Sequence, residues 1–144
     1  MLHGRTTLPL FFLITSLTCT TASAETPPSG IGVHFEPNHK KLFIQQMHTF
    51  EQGISDLLDA LAQQDYTLVA KRAKIMGPEM SRKLPNSAKK SWPTEFKKIG
   101  GSVHNGFLKL GLDAELEDPH LTLKQLSSII KSCHACHAQY DINP

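Results

Sequence analysis

Cysteine is scarce in this chain of 144 residues, which holds 3. That excludes a small fold stapled by several disulfides. A dominant charge of one sign is missing too. Arg5 is the only basic residue before Ala24, so 14 Lys and Arg stand against 13 Asp and Glu beyond it. Nucleic-acid binding normally leaves a strongly basic footprint, and none is present. Long apolar runs are absent. The best one, Leu8 to Leu17, is interrupted by Pro9 and is shorter than the roughly 20 residues a permanent membrane helix needs. No segment alternates apolar and polar residues as a half-buried strand would. Repeats and low-complexity tracts are lacking, as is any evident catalytic acid–base pair, so the chain is not expected to be an enzyme.

What is there begins with an export signal. His3 and Arg5 precede the apolar run, and small and polar residues then lead to Ala22-Ser23-Ala24. This is the layout of a secretory signal peptide. Residues 1–24 are expected to be removed after Ala24, giving a periplasmic protein with no stable membrane insertion. An uncleaved anchor is the bland alternative. A lipid-modified Cys19 is a poor match, because Leu17-Thr18 rather than small residues precede it. Residues 25–37, rich in Pro, Gly and Ser at the start, read as a flexible leader, and residues 38–144 as the domain.

Four stretches of that domain have helical periodicity. Phe43, Met47, Phe50, Ile54, Leu57 and Leu61 share one face of a helix from Asn38 to Gln64. A second helix runs from Asp65, a plausible N-cap, to Met76 before Gly77-Pro78, with Leu68, Val69, Ile75 and Met76 as its stripe. The lysine-rich stretch 79–91 reads as a long connection with at most one helical turn. A third helix starts near Pro93 and carries Phe96, Ile99, Val103, Phe107 and Leu110. Gly100, Gly101 and Gly106 weaken it; they mark either a close approach to its backbone or simply a weak helix. Thr122 and Gln125 fit a capping box for the fourth helix, which continues through Leu123, Leu126, Ile129 and Ile130 to Tyr140. Four amphipathic helices in this length imply an all-α, antiparallel four-helix bundle.

The chemistry lies at the end of the fourth helix, in Cys133-His134-Ala135-Cys136-His137. Residues three and four apart lie on one helical face, so Cys133, Cys136 and His137 converge on one patch. After signal removal these are the only two cysteines, and a bridge closing so small a loop would stabilise little. C-x-x-C-H is the signature of covalent c-type haem attachment, with the histidine as axial iron ligand. The motif therefore implies one haem c, bound through Cys133 and Cys136 with His137 on the iron. A thioredoxin-like pair would need a βαβ context. A structural zinc site would usually draw a second ligand pair from elsewhere in the chain, and no other cysteine is available beyond the signal.

With Tyr140 three residues beyond His137, the pattern C-x-x-C-H-x-x-Y near the end of an exported helical chain resembles the class II c-type cytochromes, the cytochrome c′ and cytochrome c-556 family. The likeness covers Lys40 to Tyr140. It implies that Met47, within Lys41-Leu42-Phe43-Ile44-Gln45-Gln46-Met47, occupies the position facing the haem's second side. Members with methionine there are low-spin, whereas members with a non-ligating residue have an open site for small gases. Two positions depart from the family, which usually has arginine where this chain has Phe43 and Asp141. The resemblance leaves propionate pairing undetermined here.

Methionine on a bundle's apolar face is also ordinary core filler. His48 lies about 100° of helix away from Met47 and should point off the stripe. His104 is a more distant competitor. Met76 and Met80 read as packing residues, and His34, His39, His120 and His134 as solvated or capping. Phe43, Phe50, Phe107, Ile129 and Ile130 are expected to line the pocket, Tyr140 to pack on its proximal face and Trp92 to cap it. The leading expectation is a periplasmic mono-haem electron carrier working with redox partner proteins. The alternative is a gas-binding haem protein, and a haem-free thiol-redox protein is the weakest reading. Lys89-Lys90 and Lys97-Lys98 read as a solvated face before a docking one. A homodimer is compatible with the sequence.

Overall fold

The computed structural model describes residues 30–142. The expected export signal, its cleavage point and Cys19 lie outside the described residues. The chain is mostly helical. Helix α1 (Pro37–Ala62) starts with proline in its first turn, where a missing N–H costs nothing, and ends before Gln64, whose φ is 58°. That left-handed residue stops the helix two residues short of the expected Gln64 boundary. Asp65 then caps α2 (Tyr66–Ile75), its carboxylate accepting from the Leu68 N–H at 2.9 Å. Val69, Ala70 and Ala73 form the buried face of α2, while Ile75, expected in the stripe, is exposed.

The stretch expected as a connection holds two short helices, α3 (Pro78–Arg82) and α4 (Asn86–Lys89). Buried Met80, Leu84 and Ala88 pin it down. Gln46 Nε2 of α1 also donates to the Met80 carbonyl at 2.7 Å. Helix α5 (Thr94–Asp113) follows, and then a 3₁₀ turn at residues 114–116.

Helix α6 (Pro119–Gln139) begins one turn earlier than a Thr122 capping box requires. Asp118 is the N-cap, accepting from the N–H groups of His120 at 2.9 Å and Leu121 at 3.0 Å. The Thr122 hydroxyl instead donates back to the Asp118 carbonyl at 2.7 Å and is fully buried, while Gln125 reaches the Gly106 carbonyl. Leu123, placed in the buried stripe by sequence, is exposed.

Two strands appear that no alternation announced. β1 (Ile31–Val33) pairs in parallel with β2 (Tyr140–Ile142), Ile31 opposite Tyr140 and Val33 opposite Ile142. The Gly30 N–H donates to Asp141 Oδ2 at 2.7 Å. Part of the expected flexible leader is thus structured, because Val33 and Phe35 bury their side chains. Three-residue strands are too short to display a period of two.

The main core joins α1, α2, α5 and α6 through residues such as Leu57, Val69, Phe107, Leu110 and Leu126. A second, aromatic cluster of Phe35, Trp92, Phe96 and Tyr140 sits where the two strands meet α4 and the start of α5. Among the described residues no helix is long and apolar enough to cross a membrane.

Candidate functional site

Between these two clusters lies a cavity of about 230 Å³. Helix α1 contributes Met47 and Phe50 to its wall, α5 contributes Val103 and His104, and α6 contributes Cys133, Cys136 and His137. The four residues singled out by sequence therefore line one cavity. Cys133 and Cys136 are half-buried free thiols, Met47 is half-buried, and His137 is exposed. Phe43, Phe50, Trp92 and Tyr140 line it as expected. Phe107, Ile129 and Ile130 do not; Phe107 stacks on Phe50 at 5.3 Å from within the main core, and Ile129 and Ile130 also pack there. Met76 and Met80 are core residues, as expected.

The thiol environment bears on the chemistry. Burial pushes the Cys133 thiol up, against a weaker backbone hydrogen bond, and pushes Cys136 up with a further contribution from Cys133. A thiol-redox centre needs its nucleophile shifted the other way. Among the described residues no group of three or more His, Cys, Asp and Glu side chains could hold a metal ion directly.

The residues fit a haem on these observations. A covalently held ring needs two thiols along one edge rather than at one point, and two thiols on one helical face supply that. The lining is otherwise largely apolar. Gly100 and Gly101 stand on the wall, and a Cβ added at either meets nothing within 4 Å. The close approach suspected at these glycines thus holds only for Gly106, where a Cβ would lie 2.9 Å from Ile129 Cγ1. The buried Trp92 indole N–H has no hydrogen-bond partner among the described residues.

Phe43 and Asp141 have local roles. Phe43 packs on Phe35 at 4.8 Å and on Phe96 at 5.8 Å, and Asp141 anchors Gly30. Lys89 and Lys97 reach the cavity, whereas Lys98 faces Glu95 at 3.7 Å. Lys89 is committed to the Ser81 carbonyl at 2.8 Å.

Sequence reasoning undervalued His104. Its ring is buried, lies 5.1 Å from Phe50, and has Nδ1 2.8 Å from the Met76 carbonyl and 3.1 Å from that of Gly77. Two carbonyl partners require Nδ1 to carry the hydrogen, which leaves the lone pair on Nε2. Burial depresses its pKa, outweighing those two hydrogen bonds, so the ring is neutral. His48, by contrast, is 72% exposed beside Glu51 and is not on the cavity wall.

A mostly helical chain with an apolar cavity that gathers two free thiols, two histidines and a methionine is what the fold and site define. No family model, curated protein or solved structure matches the chain.

Proposed function

We propose that this protein is an exported mono-haem c-type cytochrome that carries electrons in the periplasm, built as an antiparallel four-helix bundle of α1, α2, α5 and α6. The observation that carries the reading is the single cavity lined by Cys133, Cys136, His137 and Met47. Cys133 and Cys136 would hold the ring through thioethers, and His137 and Met47 would serve as its iron ligands. The haem supplies a one-electron ferric–ferrous couple, whose potential histidine–methionine ligation raises.

The chain's own part is positioning and exclusion of water. Helix α6 fixes both thiols and His137 on one turn, so their spacing is set by the helix. Helix α1 presents Met47 from its apolar face, a soft thioether that brings no unpaired charge into the cavity. Phe43, Phe50 and Phe96 keep the walls apolar. Helices α1 and α6 would hold the two ligands, which suits electron transfer with redox partner proteins.

Optical spectra of the oxidised and reduced protein test the proposal. A six-coordinate, low-spin haem in both states, slow to bind carbon monoxide when reduced, is expected. A high-spin haem that binds carbon monoxide at once would replace the carrier reading with a gas-binding one.

A further inference from the structure

The geometry points to His104 as a second iron donor in this cavity, competing with Met47 for the side opposite His137. The inference rests on the haem reading above. Three observations carry it. His104 is on α5, yet it lines the same cavity wall as Met47, Cys133 and His137. Its Nδ1–H is fixed by the Met76 and Gly77 carbonyls, the backbone arrangement that orients a ligating imidazole and raises its basicity. Its Nε2 has no hydrogen-bond partner among the described residues and is not among the side-chain atoms sealed from solvent there.

With the hydrogen held on Nδ1 by the two carbonyls, the ring's lone pair lies on Nε2. A purely structural histidine tying α5 to the α2–α3 junction accounts for the Nδ1 contacts but gives Nε2 no task. Phe50, one turn along α1 from Met47, packs against the ring at 5.1 Å with the two planes tilted by 50°.

The test is the ferric electron paramagnetic resonance and optical spectrum of haem-loaded Met47→Ala. A haem that stays low-spin, with the g-tensor of bis-histidine ligation, is the expected result. Adding His104→Gln, which keeps an N–H donor for the two carbonyls, should make it high-spin and open to carbon monoxide. Adding His48→Gln should change nothing. If the His104→Gln double variant does not fold, ¹⁵N-histidine hyperfine coupling in Met47→Ala still counts the ligating rings, and two are expected. A wild type already ligated by two histidines would uphold His104 and displace Met47. Met47→Ala that turns high-spin by itself, or a double variant that stays low-spin, overturns the His104 assignment. In that case, haem retained by denatured protein leaves the cytochrome reading intact; haem lost on denaturation removes that reading instead.

Discussion

Helix α5 passes along two regions that use glycine in opposite ways. In its second half, Gly106 lets Ile129 of α6 approach, and Gly111 lets the backbone of α2 approach, where a Cβ would stand 3.1 Å from the Ala70 carbonyl and 2.9 Å from Lys74 Cγ. In its first half, Gly100 and Gly101 meet nothing. Helix-interior glycine weakens a helix by about 0.5–1 kcal/mol relative to alanine, and close packing offsets that only at Gly106 and Gly111. The far half is a finished core, with Leu57, Phe107 and Leu110 fully buried. The near half is a walled space with reactive groups on its surface. The contrast teaches that the cavity is where this chain forgoes packing.

The comparison can be broken from either side. The largest effect belongs to Cys133→Ala with Cys136→Ala, which should abolish covalently coloured protein altogether on a haem-stained denaturing gel. Phe107→Ala removes a fully buried ring from the finished core and should destabilise by about 3–5 kcal/mol in urea unfolding. Gly106→Val forces a side chain against Ile129 and should lose about 1–3 kcal/mol by the same measurement. The smallest effect has the opposite sign. Gly100→Ala in the haem-free double-cysteine variant should gain about 0.5–1 kcal/mol, since nothing meets the added methyl group. A loss at Gly100 as large as that at Gly106 would erase the difference between the two halves.

Much of this was legible where chemistry or periodicity is local. The long helices, the Asp65 cap and the Gly77-Pro78 stop follow from residues a few positions apart. So does the convergence of Cys133, Cys136 and His137. Features that depend on distant partners were not legible. β1 and β2 are three residues each, and their pairing joins Ile31 to Tyr140 across the whole domain. The start of α6 was misplaced by a turn because Thr122 and Gln125 imitate a capping box, although Asp118-Pro119 carried the correct signal. His104 was undervalued because its two carbonyl partners lie on the turn after α2, 27 and 28 residues away. Phe107, Ile129 and Ile130 pack in the main core rather than on the cavity, since periodicity gives the buried face of a helix but not which part of that face meets a cavity.

One measurement tests the central claim most directly: acid–organic extraction of the denatured, purified protein, followed by its intact mass. The account predicts that the colour stays with the polypeptide and that the mass exceeds that of the chain by one haem. Haem that passes into the organic phase, or a mass equal to the bare chain, would contradict it.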